Sequence, residues 1–180
     1  CAKYAAQVAQ NMGMSLDEAE VVEHGALLHD IGKVFLSENL LTKDGQLTFE
    51  EYEAMKQHTY LGYKILKPVP FLKREALIVL HHHEWYNGQG YPSKIKGEAI
   101  PLGARIVSVV DAFDTMHIAA GRYKKTYSVR STVAELIDYA GHQFDPTVVK
   151  AFIQVLVQRG ELEEGEYNKE KLDQALKKKL

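Results

Sequence analysis

Apolar positions recur along this chain with a helical period almost from end to end, and strict two-residue alternation is scarce. The opening segment CAKYAAQVAQNM is Ala-rich and is followed by Gly13, a residue suited to helix C-termini. Ser15-Leu16-Asp17-Glu18 has the spacing of a capping box and starts a second helix running towards Asp30. Residues 31–47, with Gly32 and the Asp44-Gly45 turn signal, are expected to form a loop. Thr48-Phe49-Glu50-Glu51 repeats the capping spacing ahead of a helix through His58 to Leu66, which Pro68 and Pro70 break.

Phe71 to His83 reads as a further helix, apolar at Leu72, Ala76, Val79 and Leu80. Glu84 to Ile100 is Gly-rich and irregular. Pro101 suits a helix start, and the run to Ile118 is so apolar that it must be buried. Ser128 to Ala140 reads as a helix closed by Gly141, and Asp145-Pro146 caps another that runs to Arg159. From Glu161 the acids come first and Lys177-Lys178-Lys179 last, the polarity that complements a helix macrodipole in a solvated terminal helix. The expectation is an all-α bundle over residues 1–160 with a charged helical tail at 161–180.

Length and charge narrow the function. A chain of 180 residues is long enough for one domain with a core, and 46% apolar and 26% charged residues are ordinary for a globular protein. The near balance of 22 basic and 24 acidic side chains argues against non-specific binding of duplex nucleic acid and leaves room for a small anion held by a few local cations. Cys1 is the only cysteine, so neither an intrachain disulfide nor a thiolate metal cage can form, and a reducing cytoplasmic setting fits. No apolar run is long enough to span a bilayer and no signal peptide is evident. The chain starts without methionine and within a helical pattern, as a piece of a longer protein is expected to do.

The chemistry concentrates in the histidines. His29-Asp30, His58, His82-His83 and Asp111 fall at helix ends or on buried helical stretches. Adjacent residues on a helix point about 100° apart, so each pair can offer two ligands to one cluster, and a carboxylate can bridge two cations. Such a set of nitrogen and oxygen donors suits iron, manganese, zinc or nickel. Burying so many ionisable groups without a cation costs several kcal/mol for each unpaired charge, roughly. Lys33, four residues past His29, is placed either to meet a phosphate or to sit exposed beyond a helix end.

The blocks HGALLHDIGK (24–33), MKQHTYLG (55–62), HHEWYNGQGYP (82–92), IPLGARIVSVVDAFD (100–114) and GHQFDP (141–146) resemble, in order, the signatures of the HD-GYP family. That resemblance implies a helical HD fold holding two or three transition-metal ions, iron or manganese foremost. It implies His29, Asp30, His58, His82, His83 and Asp111 as ligands, with Asp30 bridging and Lys33 acting beside it in catalysis. It also implies hydrolysis of cyclic di-GMP to the linear dinucleotide or GMP, an upstream regulatory domain, and a diguanylate cyclase of GGDEF type as a partner through the GYP loop. Gly90 and Tyr91 would lie beside the substrate, with Arg122 and Lys124 on its phosphates. The stretch AAGRYKK carries one residue more than the family pattern, so Lys125 can replace Lys124. Asn87 stands where the family has Asp, and a further family histidine would precede Cys1 by about one helical turn.

Other residues are read as support. Glu84, Asp114 and Arg105 are expected to orient ligands, and Trp85 either to pack or to flank the cleft mouth. His24, His81, His117 and His142 are expected to be structural or exposed. The competing readings are an HD hydrolase of another phosphate ester or cyclic dinucleotide, and a catalytically weak module that binds a nucleotide or a partner.

Overall fold

A computed structural model describes residues 1–118 and 127–178. The helices among them are α1 (Ala2–Asn11), α2 (Leu16–Leu28), α3 (Glu38–Thr42), α4 (Phe49–Leu66), α5 (Lys73–His81), α6 (Leu102–Ile118), α7 (Val129–Asp138), α8 (Pro146–Gln158) and α9 (Lys169–Lys177). No strand occurs among the described residues, as the helical period predicts. None of these helices is long and apolar enough to cross a membrane.

The starts of the helices follow from side-chain chemistry. Ser15 Oγ accepts the Glu18 amide while the Glu18 carboxylate accepts the Ser15 amide. Thr48 and Glu51 repeat that reciprocal cap, and Asp145 accepts the Thr147 amide ahead of Pro146. Each cap satisfies backbone donors that a helix leaves orphaned, worth about 1 kcal/mol apiece.

The core is built on α6 and α8. Ile106, Val107, Val109, Val110 and Phe113 of α6 meet Val148, Val149, Phe152, Ile153 and Leu156 of α8, with α1, α2 and α7 covering them. A smaller cluster of Leu66, Ala76 and Val79 joins α4 to α5. The end of α2 and the end of α5 are thereby held beside the middles of α4 and α6.

Three expectations change. Residues 31–47 are not a plain loop: Ile31–Phe35 form a 3-10 helix, and Ser37 caps the short α3. The reason is tertiary. At Gly32 an added Cβ would lie 1.9 Å from the His58 carbonyl oxygen and 2.6 Å from the Gly62 nitrogen, so this turn rests directly on the backbone of α4. The helix expected over 71–83 is shorter, since Pro70–Leu72 make a 3-10 turn and His82 is already the C-cap of α5. The terminal segment is not wholly solvated, because Leu162 and Leu172 are buried in the main core and Leu176 packs against it. Leu172 and Leu176 stand four apart and share one face of α9.

Candidate metal centre

Four helices deliver the expected ligands to one place. His29 is the C-cap of α2, and Asp30 leads into the 3-10 turn that Gly32 lets settle on α4. His58 comes from α4, His82 and His83 from the end of α5, and Asp111 from α6. His29 Nε2 lies 3.4 Å from Asp30 Oδ2 and 3.4 Å from Asp111 Oδ1. His58 Nε2 lies 3.5 Å from Asp30 Oδ1 and 3.5 Å from His82 Nε2. The two oxygens of Asp30 thus face two different histidines, the arrangement expected of a bridging carboxylate. Two groups, His58/His82/His83 and His29/Asp30/His82, each bring ligand atoms within 4.8 Å of one another and overlap at His82.

The imidazoles are oriented from behind. Nδ1 of His29, His58 and His82 lies 2.7–2.8 Å from the carbonyl oxygen three residues earlier, of Ala26, Met55 and Val79 respectively. Those contacts assign the Nδ1–H tautomer to each neutral ring and leave a bare lone pair on Nε2. In His58 and His82 these lone pairs face each other, a repulsive contact unless a cation lies between them. Two donors sharing an ion about 2.1 Å away in tetrahedral geometry are separated by about 3.4 Å. The observed spacings match, so the residues present fit a metal.

The charges agree. Burial holds the His82 pKa down at about 3, reinforced by His29 and His58. Burial likewise keeps His83 well below the ordinary histidine range and lowers His58. These rings stay neutral, which is the ligand form. At His29 burial also opposes protonation, but the hydrogen bond to Asp111 and the charge of Asp30 outweigh it and raise the pKa. Asp30 and Asp111 remain carboxylates despite burial, because His29, with Lys33 beside Asp30, favours their charged forms. The site draws in positive charge.

A match to the family model described as "HD domain" spans residues 1–148. The chain belongs to the HD domain family. This HD domain is 42% identical over 149 residues to the cyclic di-GMP phosphodiesterase response regulator RpfG of Xanthomonas campestris, covering 82% of this chain and 39% of that protein. It is 39% identical over 151 residues to a cyclic di-GMP phosphodiesterase of Thermotoga maritima, covering 83% of this chain and 41% of that one. The chain therefore spans about two fifths of the length of these relatives. The crystal structure of a cyclic GMP-AMP specific phosphodiesterase of Vibrio cholerae shares the fold, with TM-score 0.69 and 19% identity over 98% of this chain and 47% of that one. The HD-GYP character read from the sequence blocks is borne out.

Beside the candidate ligands of this HD domain opens a cavity of about 680 Å³, whose lining includes His83, Asp111, Tyr91, Tyr52 and Trp85. Trp85 flanks it as expected. Lys33 Nζ donates to Asp30 Oδ2 at 2.6 Å, so its ammonium stands next to the cluster. The Tyr91 ring lies 5.0 Å from that of His83, and burial raises its hydroxyl pKa, so it stays protonated and able to donate a hydrogen bond. Gly90 is absent from the cavity wall. Its added Cβ would meet the Trp85 nitrogen at 2.2 Å and the His83 oxygen at 2.5 Å, so its small size serves closure of the loop. Arg122, Lys124 and Lys125 lie outside the described residues.

Several supporting roles differ from expectation. Asp114 faces the Cys1 nitrogen at the start of α1. Arg105 donates to Asp145 at 2.5 Å and to the Ile100 carbonyl, tying α6 to the cap of α8. Glu84 is buried and accepts the Ser93 amide at 2.6 Å, anchoring the GYP loop, with His81 beside it. His24 pairs with Glu20 and Glu75, His117 stacks on Phe113, and His142 lies near Trp85, all away from the ligands as expected. The sequence reading missed Tyr52, Glu135 and Tyr139 in the lining; the four-residue spacing of the last two was the available signal.

Proposed function

We propose that the chain is a metal-dependent phosphodiesterase that hydrolyses cyclic di-GMP to the linear dinucleotide and onward to GMP. The observation that carries it is Asp30, whose two oxygens face His29 and His58 at 3.4 and 3.5 Å while Lys33 waits at 2.6 Å, in a cluster whose His83 and Asp111 line an open cavity. The relatives named as cyclic di-GMP phosphodiesterases support the substrate. Their shared length is partial, so the activity is tied here to the residues themselves.

His29, Asp30, His58, His82, His83 and Asp111 would hold two ions, with iron or manganese suited to imidazole and carboxylate donors and zinc or nickel next. A third ion needs further ligands. Such ions supply water activation and charge stabilisation on phosphoryl oxygens. The chain does the rest. Its carbonyl-anchored imidazoles fix ligand direction, Lys33 offers an ammonium to a non-bridging phosphate oxygen, and Tyr91 presents a hydroxyl from the cavity lining beside His83. Water adds to phosphorus in line as the bond to the ribose 3′ oxygen breaks, leaving a 3′ hydroxyl and a 5′ phosphate.

A second cyclic dinucleotide has a specific point in its favour, since a 3′3′-cGAMP-specific phosphodiesterase of Vibrio cholerae is 31% identical over 158 residues. Incubating the iron- or manganese-loaded chain with each dinucleotide and identifying products by mass spectrometry tests the reading. Cyclic di-GMP is expected to give the linear dinucleotide, then GMP. An intact ring after prolonged incubation with every metal overturns it.

A further inference from the structure

Away from His83 and Asp111, the same cavity is walled by Trp85, Tyr127, Glu135, Tyr139 and Gln143. Glu135 lies on α7 and Tyr139 is that helix's C-cap, four residues on. They therefore share a face, while Thr132, Val133, Leu136 and Ile137 turn into the core. The rings of Trp85 and Tyr139 both approach His142, with centroids 5.5 and 6.4 Å from it, and make a continuous aromatic border. Among the described lining residues the only carboxylates are Asp111, at the ligand end, and Glu135, whose side chain pairs with no described residue.

A carboxylate with no side-chain partner among the described residues, set beside aromatic faces, has a defined chemical complement. Stacking on tyrosine or tryptophan is indifferent to which base is bound, because every base has a π-face. The carboxylate is not indifferent. It accepts hydrogen bonds only, and its two oxygens match two adjacent donors. Guanine offers that pair, N1–H and the exocyclic 2-amino group, on one edge. Adenine offers a bare N1 lone pair and a C–H there, so the same carboxylate repels it.

We propose that Glu135 is the guanine-reading group of a base subsite, accepting from N1–H and the 2-amino group of a purine stacked against Tyr139 or Trp85. The inference rests on the cyclic dinucleotide reading above and adds what selects the base. It makes Glu135 a specificity determinant, on a different helix from the residues that would meet the phosphate.

The test is equilibrium binding of hydrolysis-resistant phosphorothioate analogues of cyclic di-GMP and cyclic di-AMP to the metal-loaded chain. A charge-assisted, two-point contact is worth roughly tenfold to a hundredfold in affinity. Wild type is expected to prefer the guanine analogue by about that factor. Glu135→Gln should lose most of that preference by weakening the guanine analogue alone, since its amide nitrogen meets a donor with a donor. Tyr139→Ala should weaken both analogues alike. Unchanged guanine affinity in Glu135→Gln, or an equal loss for both analogues, overturns the proposal. Base-selective binding that vanishes in Glu135→Gln, in a chain that leaves cyclic di-GMP intact with every metal supplied, overturns the phosphodiesterase reading and leaves the base site standing.

Discussion

Replacing Gly32 with alanine perturbs the centre without touching a ligand. The added Cβ would start 1.9 Å from the His58 carbonyl oxygen, and an ordinary contact begins at 3.4 Å. The gap must open by about 1.5 Å, and both sides are backbone, so no rotamer change can relieve it. Overpacking of this kind costs about 1–3 kcal/mol. For a domain of this size that lowers Tm by about 2–12 °C. The displacement also carries Asp30 away from His58, now 3.5 Å apart. Metal coordination tolerates only about 0.2 Å of error, so shared binding across that pair should fail. Urea unfolding and metal titration on the same preparation measure both effects. Gly165→Ala is the control, because nothing lies within 4 Å of its added Cβ. A Gly32→Ala protein within 0.5 kcal/mol or so of wild type that still binds metal fully would refute the claim that this close approach assembles the centre.

Three further outcomes follow from the same geometry. Lys33→Ala should keep its metal yet lose about a hundredfold in kcat/KM on cyclic di-GMP, as removal of one charge-stabilising donor does; steady-state kinetics beside elemental analysis reads this. Arg105→Ala strips a partner from the buried Asp145 carboxylate and should cost about 3 kcal/mol of stability in urea unfolding without changing metal content. Metal-free protein should lose stability as pH falls below the unfolded histidine value of about 6.5. His82, His83 and His58 have lowered folded values, so the unfolded chain binds more protons there, while His29 alone opposes the trend. Each net histidine contributes about 1 kcal/mol per pH unit across that window, measurable by thermal unfolding between pH 7 and 5. A flat profile would contradict the burial argument.

The parts of this fold legible in the sequence are those set by local chemistry. Ser15 with Glu18, Thr48 with Glu51, and Asp145 before Pro146 announce helix starts through bonds that the structure contains. The clustering of the histidines proposed as ligands was legible because paired donors at helix ends, in a fixed order of motifs, have few other uses. What stayed hidden depends on tertiary approach. Gly32 signals a break by propensity, yet contact with α4 winds its neighbours into a 3-10 helix. Arg105 and Asp114 lie on the same helix as Asp111, and spacing alone could not show that one turns to Asp145 and the other to the start of α1. Leu172 and Leu176 stand four apart in a charged segment, and the burial of the face they share shows only once α8 is placed beneath it.

The central claim is that Asp30 bridges two ions within one cluster of histidines and carboxylates. Its most direct test is metal counting by elemental analysis on wild type and Asp30→Asn, expressed and purified anaerobically in parallel with iron or manganese supplied. The substitution keeps the shape and removes the charge. At least two ions per chain are expected in wild type and no more than one in the variant, with helical content by circular dichroism unchanged. A metal-free wild type, or a variant holding as many ions as wild type, would contradict the account.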